Sequence, residues 1–421
     1  MIEYSTEIPK VYLLALHDKS VDLNVTLDSL REMRSMATTL DYEVVGEDYQ
    51  TRAAPDPKSY LGKGKLMEIK DDLKDKEVTM VLFDHELTPK QGQYLEKELG
   101  CMVWDRTQLI LEIFASHAAT PESKNQVELA QLKYMLPRLV GMWAHLDREK
   151  GGIGTSKGMG EKQINIDRTL VRKRISRIEK YLKKVERERE TQSKQRSSCF
   201  QIGVVGYTNA GKTTLVNRLA EAELLAQDKL FATLESTTRL LKKNGKPDIL
   251  ISDTVGFIRN LPHNLVASFR STLSVVRDAD LLLHVVDSSS ENIEQHIATT
   301  ESVLEEIEAA DLPRVLVFNK VDCVEDHMDV LIMKKTYPNA IFVSAFEEDG
   351  VESLRKILSD HFAEQFVRKE TVLGYNQTGL LDKFYQLATI EEVDYKEDGI
   401  HVLHATTSIN TNILEKLVNG G

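Results

Sequence analysis

Cysteine is scarce in this chain: three in 421 residues, at Cys101, Cys199 and Cys323. They are widely spaced, odd in number, and accompanied by no CxxC and no histidine cluster. That excludes a disulfide framework and a thiolate zinc site, and points to a reducing compartment. Long apolar runs are also missing. No stretch reaches the ~18 continuous apolar residues of a membrane-spanning helix. The longest, Leu281 to Val286, is strand-sized and contains His284. Met1 to Asp18 has early acidic residues and no basic segment before the short apolar run Val11 to Leu16, which reads as a first strand and not as a secretion signal. A cytoplasmic protein without membrane insertion is expected. Positive charge is in the minority, 54 Lys and Arg against 66 Asp and Glu, for a formal net charge of −12. Uniform, non-specific nucleic-acid binding is disfavoured by that balance. The charge is uneven, however: Arg168 to Arg196 holds 12 Lys or Arg against 4 Glu.

What is present is ordinary for a soluble globular protein, with 41% hydrophobic and 29% charged residues. The length suits two to four compact units. Over the first ~115 residues, strand-like runs (Lys10 to Leu16, Tyr42 to Gly46, Val78 to Asp84, Cys101 to Asp105) alternate with helical ones (Val25 to Leu40, Lys63 to Lys74, Lys90 to Leu99). This predicts a small α/β domain over residues 1–120. Its Gly62-Lys63-Gly64-Lys65 loop has the composition of a phosphate-binding helix start, and equally that of a solvated helix entry.

Two apolar stripes at spacings of three and four follow. Leu129, Leu132, Leu136, Leu139, Trp143 and Leu146 form one; Val171, Ile175, Ile178, Leu182 and Val185 form the other. They predict a long helical hairpin over residues 121–197, kinked at Pro137. Its tip, Gly151 to Gly160, is half glycine and flanked by Arg148, Lys150, Lys157 and Lys162. A helical hairpin needs only a few residues to reverse; the longer basic, glycine-rich tip reads either as a floppy connector or as a loop that fits an RNA backbone, where absent side chains permit close approach. From residue 198 to 365, strands at Phe200 to Gly206, Ile249 to Asp253, Leu281 to Asp287, Val315 to Asn319 and Ile341 to Ser344 each precede a helix, which predicts a mostly parallel sheet. Residues 366–421, with a helical Leu380 to Leu387 and a strand-like Gly399 to Ala405, form a small α/β C-terminal domain. The fold class is therefore α/β and multidomain.

The chemistry concentrates in the third region. Gly206-Tyr207-Thr208-Asn209-Ala210-Gly211-Lys212-Thr213 matches G-x-x-x-x-G-K-[ST], follows an apolar strand and opens a helix. Backbone N–H groups of such a P-loop wrap a β-phosphate at the positive helix end, Lys212 reaches the β- and γ-phosphates, and the Thr213 hydroxyl binds Mg²⁺. Asp253-Thr254-Val255-Gly256 ends the next apolar strand, where the carboxylate can hold Mg²⁺ through water and the Gly256 N–H can meet the γ-phosphate. Asn319-Lys320-Val321-Asp322 ends a further strand. The Asp322 carboxylate can accept from N1–H and the 2-amino group of guanine, and the Lys320 stem can cover the base, so GTP is favoured over ATP. Ser344-Ala345-Phe346 can set backbone N–H groups against guanine O6. Between these motifs, Phe231-Ala232-Thr233-Leu234-Glu235 reads as a switch that lends a hydroxyl to Mg²⁺. Thr233 is the first choice for that hydroxyl, and spacing does not separate it from Thr237 or Thr238.

At these residues the chain resembles the HflX family of ribosome-associated, translation-factor-class GTPases. The resemblance rests on Leu230-Phe231-Ala232-Thr233-Leu234 and on Gly256-Phe257-Ile258-Arg259-Asn260-Leu261-Pro262-His263. Gln126 to Leu132, the glycine-rich tip, Pro55-Asp56-Pro57-Lys58 and Gly62 to Lys65 extend it over nearly the whole chain. It implies binding of GTP with Mg²⁺, and slow hydrolysis raised by the large (50S) ribosomal subunit. It also implies action in rescue, dissociation or recycling of stalled or idle ribosomes, with the N-terminal domain and the hairpin meeting ribosomal RNA. Some members are also reported to use ATP. The tip departs from the family's usual Gly-Pro-Gly-Glu and Thr-Gln-Leu-Glu: here it runs Gly158-Met159-Gly160-Glu161-Lys162-Gln163-Ile164.

Phosphoryl transfer is mostly positioning and charge stabilisation, tasks that fall here to Lys212, Thr233 and Gly256. Phe257 stands where many small GTPases place a water-orienting glutamine. An apolar side chain cannot orient water by hydrogen bonding, so turnover is expected to be slow without a partner. Asn209 stands where some related GTPases ligate K⁺. The free protein is expected to be monomeric. An alternative of another class is a GTP-dependent protein-recruitment switch that does not act on ribosomes.

Overall fold

The apolar run at Lys10 becomes β1 (Lys10–His17), the second strand of a four-stranded parallel sheet completed by β2 (Glu43–Thr51), β3 (Met80–Phe83) and β4 (Met102–Asp105), in the order β2-β1-β3-β4. The computed structural model describes residues 8–139, 157–195, 200–221, 231, 236–241, 249–259, 273–363, 367–406 and 408–419. Two compact units share the chain, one drawn mainly from residues up to Lys183 and including Phe231, the other mainly from Lys184 onward. Helices α1 (Leu23–Thr39), α2 (Lys63–Asp75) and α3 (Pro89–Leu99) link the four strands. Strands β1 and β3 are covered on both faces, which is why they read as continuous apolar runs and not as alternating ones. Helix α3 is tightly specified, by a reciprocal Thr88–Gln91 cap, Pro89 in its first turn and Gly100 in the left-handed conformation at its end.

A further helix, α4 (Arg106–His117), follows β4 and was not legible in the sequence. Leu109, Ile110, Leu111, Ile113 and Phe114 are all buried, so no polar stripe marks a helical period. Arg106 is buried at the start of α4. It is tolerated there because Asp84, at 2.7 Å, and Glu32 both pair with it. Helix α5 (Pro121–Met135) corrects the kink expected at Pro137, because the helix ends before the proline is reached. A ring without an N–H cannot continue the ladder. Helix α6 (Lys157–Gln195) begins inside the expected glycine-rich loop, so Lys157 to Gly160 are helical; residues 151–156 lie outside the described residues. Leu129 and Leu132 of α5 share one apolar cluster with Ile175, Ile178 and Leu182 of α6. Arg174–Glu128 at 2.6 Å and Lys133–Glu179 at 2.9 Å flank that seam. Trp143 and Leu146 of the predicted stripe lie outside the described residues.

The second unit centres on β5 (Phe200–Gly206), β6 (Thr237–Leu240), β7 (Ile249–Asp253), β8 (Leu281–Asp287), β9 (Arg314–Asn319) and β10 (Ile341–Phe342). Their order is β10-β9-β8-β5-β7-β6, parallel except for the edge pair β6·β7. Helices α7 (Lys212–Leu219), α8 (Ser274–Arg277), α9 (Ile293–Glu306), α10 (His327–Thr336) and α11 (Glu348–Ala363) follow the parallel strands. One face of the sheet packs Ile202, Val204, Leu283 and Val285 on Leu215, Leu354 and Leu358. Val286, Phe318 and Met333 lie in a second cluster. Successive strands leave β5 in opposite directions, so the loop after β5 lies at the point where an open α/β sheet takes ligands. Beyond this sheet, β11 (Val367–Leu373), β12 (Thr389–Lys396) and β13 (Gly399–Thr406) form an antiparallel sheet. Helices α12 (Leu381–Leu387) and α13 (Ser408–Val418) cover it around Leu373, Phe384, Val402 and Leu414. Among the described residues no helix is long and apolar enough to cross a membrane.

Candidate nucleotide site

The phosphate loop predicted from the sequence runs from the end of β5 to the start of α7. Lys212 is buried, and its Nζ donates to the carbonyls of Tyr207 at 2.7 Å and Gly206 at 3.1 Å. Burial lowers its pKa to about 8; the Asp253 carboxylate works against that shift and Lys320 adds to it. The lysine is thus held where only phosphate charge would fully restore its proton affinity. Gly211 turns into the helix at φ +83°, and a Cβ there would lie 2.3 Å from Asn319 Nδ2. Asn209 also sits at positive φ, +59°, and is exposed.

The segment after β7 presses against this loop. A Cβ on Gly256 would come within 2.9 Å of Lys212 Nζ and of Thr208 Cα, so any side chain there would force the phosphate loop to shift. Next to it, the Thr208 N–H donates to the Phe257 carbonyl at 2.7 Å and the Phe257 N–H to the Gly206 carbonyl at 3.1 Å. Phe257 is itself buried. The Tyr207 hydroxyl accepts the Arg259 N–H at 3.0 Å while its ring stacks on His296 of α9 at 3.9 Å. The apolar side chain in the glutamine position is therefore turned into protein.

Magnesium is implied by the resemblance, and the donor set can be tested against it. Thr213 Oγ1 lies 2.6 Å from the Asp253 carboxylate, which is buried and also accepts the Thr254 N–H. Two hard oxygens at the foot of α7 fit a cation that takes few protein ligands and completes its shell with phosphate and water. Of the switch, Ala232, Thr233, Leu234 and Glu235 lie outside the described residues. Phe231 is buried, and its ring meets Phe114 edge-on at 4.8 Å within the first unit. Thr238 pairs with Ser252 across β6·β7 at 2.9 Å, and Thr237 is in the same edge strand. That strand is four residues of largely exposed Thr-Thr-Arg-Leu, with no apolar run to announce it.

The residues expected to read guanine gather at the ends of β9 and β10. Asn319 is buried and acts as a brace: Nδ2 donates to the Ala210 carbonyl at 3.0 Å, and Oδ1 accepts the Ala345 N–H at 3.1 Å. The Phe346 N–H goes to Ser344 Oγ at 3.2 Å. The N–H groups of Ala345 and Phe346, expected to face guanine O6, are held here by Asn319 and Ser344. Asp322 is exposed; a hydrogen bond from Ser344 holds its pKa below the ordinary carboxylate value, and the Cys323 thiol also donates to it at 3.6 Å. Val321 begins the short turn that carries it. Lys320, at φ +61°, pairs with Asp287 at 2.7 Å. Asp287 was missed in the sequence. Its signal was there, a carboxylate closing an apolar strand just as Asp253 does.

In the Gly62 to Lys65 loop, two of the groups an anion would need are engaged within the protein. The Gly62 N–H goes to Gln50 Oε1 at 2.7 Å, and Lys65 is paired with Asp48 and Glu68.

Three family descriptions match the chain in succession: GTP-binding GTPase N-terminal over residues 27–115, GTP-binding GTPase Middle Region over 117–196, and 50S ribosome-binding GTPase over 201–320. GTPase HflX of Escherichia coli strain K12 is 42% identical over 376 residues, 89% of this chain and 88% of that protein. GTPase HflX of Alkalihalophilus pseudofirmus is 41% identical, with 92% of each chain covered. Among solved structures, a GTP-binding protein from Sulfolobus solfataricus in complex with GDP is 25% identical, with 84% of this chain and 98% of that one covered at a TM-score of 0.43. With three family descriptions in succession and relatives of this extent, the chain belongs to the HflX family of GTPases.

Proposed function

We propose that this GTPase acts on the large (50S) ribosomal subunit, in rescue, dissociation or recycling of stalled or idle ribosomes, and that α6 supplies its RNA contact. The observation that carries this reading is a basic stripe. Lys173, Arg177, Lys180, Lys184 and Arg187 are all exposed and recur at alternating spacings of four and three. They lie on the side of α6 opposite the apolar seam of Ile175, Ile178 and Leu182. The rise of a helix sets one cation about every 5 Å, over roughly 21 Å. Such a row meets successive phosphates of one strand, and counter-ion release makes its contribution strongly salt-dependent. An acidic chain with one concentrated basic line is suited to a particular RNA surface in a cytoplasmic particle.

In this reading Lys212 and the loop N–H groups hold the β- and γ-phosphates, Asp322 reads the guanine edge, and Thr213 with Asp253 and Thr233 would hold Mg²⁺. The ion would offset charge on the phosphate oxygens. No side chain at position 257 orients water, so hydrolysis is slow until the ribosome completes the site. A K⁺ ion at Asn209 would add positive charge beside the phosphates. Co-sedimentation with purified 50S subunits over a salt series tests the contact. The double change Lys180→Ala, Lys184→Ala should weaken binding and flatten the log–log salt slope by about 1.5. An unchanged slope would favour the protein-recruitment alternative.

A further inference from the structure

Tyr181 stands beside the basic row of α6 and is 41% exposed. A single exposed ring is ordinary on a protein surface, and the surroundings are what distinguish this one. Arg177 lies four residues before it and Lys184 three after, both exposed, so a cation sits one helical turn to each side of the ring. The turn that carries Tyr181 is fixed from behind, because Ile178 and Leu182 share the apolar seam with Leu129 of α5. The ring therefore has only its own two torsions to lose on binding. A row of cations alone serves any phosphate backbone, single or double. An aromatic ring among them does not. The bases of a duplex are stacked on one another and turned inward, whereas an unpaired strand can lay a base on the ring. Arg177 and Lys184 are about 10 Å apart along the helix axis, the length of roughly three stacked nucleotides. The backbone can thus be held on both sides while a base between turns onto the ring. We propose that α6 binds an unpaired RNA strand, with Tyr181 stacking on one base and Arg177 and Lys184 holding the phosphates to either side. The inference rests on the reading of α6 as the RNA contact and adds to it the form of RNA that is bound.

Stacking accepts any base, because every base has a π-face, so the ring selects for strandedness and not for sequence. Binding of labelled oligouridylate, an unpaired strand, and of a labelled RNA duplex of equal length to the full chain reads this directly. Tyr181→Ala should raise the dissociation constant for oligouridylate about 10- to 100-fold, the range of base–aromatic stacking, and leave that for the duplex unchanged. Tyr181→Trp should restore the wild-type preference, since the ring and not the hydroxyl makes the contact. Tyr181→Ala should also keep the wild-type salt slope, because the ring carries no charge, whereas the Lys180→Ala, Lys184→Ala double change weakens binding of both RNAs. Equal oligouridylate affinity in wild type and Tyr181→Ala would overturn the proposal. So would a parallel loss for strand and duplex, which marks a structural role for the ring. The two readings fail separately. A lysine effect without a tyrosine effect overturns the stack alone, and a lysine pair without effect on either RNA overturns the α6 contact and the stack with it.

Discussion

Raising the pH through 8 perturbs one atom at the heart of the site, Lys212 Nζ. Burial lowers its pKa from the ordinary 10.5 to about 8 in the empty protein. Phosphates held by the surrounding N–H groups would favour the ammonium and return the pKa to at least its ordinary value. That recovery corresponds to about 3 kcal/mol of coupling between proton and nucleotide. GDP affinity should therefore be level below pH 8 and fall about tenfold per unit above it. At pH 8 binding should take up roughly half a proton, measured by calorimetry in two buffers of different ionisation enthalpy. The sign for stability follows from the same shift. Between pH 8 and 10.5 the unfolded chain binds the more protons at this lysine, so the empty protein gains stability as pH rises across that window. The GDP complex should lack this gain. Identical heats in the two buffers at pH 8 would refute the reasoning, because a lysine already fully charged has no proton to take up.

Burial, with Arg314 and Lys212 nearby, lowers the His284 pKa to about 4, so the stability from a neutral imidazole is present above pH 6.5 and lost as pH falls toward 4. The loss should approach about 3 kcal/mol in urea titrations, and His284→Leu should flatten the profile; equal profiles would exclude this residue as the cause. Gly256→Ala places a methyl group against Lys212 and Thr208, and should lower hydrolysis by about 100-fold while GDP binding changes only a few-fold. Exchanging K⁺ for Na⁺ should slow hydrolysis by about tenfold or more, with Asn209→Ala abolishing the difference; equal rates in both salts would remove Asn209 from the account.

Much of the second unit was legible because its strands are buried and end abruptly. The runs closing at Gly206, Asp253 and Asp287 have the bounds expected from the sequence. Each passes from apolar residues to a polar or glycine terminus, which marks the carboxyl end where a parallel sheet carries chemistry. What stayed hidden had no local signature. Helix α4 is buried nearly all round and shows no period. Strand β6 is an exposed, polar edge. Pro137 was expected to bend a helix that instead ends at Met135. Within the site, spacing placed Lys212, Thr213, Asp253 and Gly256 on adjacent strand ends, and the fold brings them into contact. The partners of the Ala345 and Phe346 N–H groups, and the pairing of Lys320 with Asp287, depend on side-chain directions that no pattern in the chain encodes. The proline and glycine signals marked helix ends, but they did not say how far α6 would extend into the glycine-rich stretch.

The central claim is a GTPase whose site is completed by the ribosome, and its most direct test is the rate of GTP hydrolysis by the purified protein alone and with 50S subunits. The account predicts slow turnover alone, a stimulation of about 10³-fold or more with the subunits, and loss of both in Lys212→Ala. A rate that is the same with and without 50S subunits would contradict it.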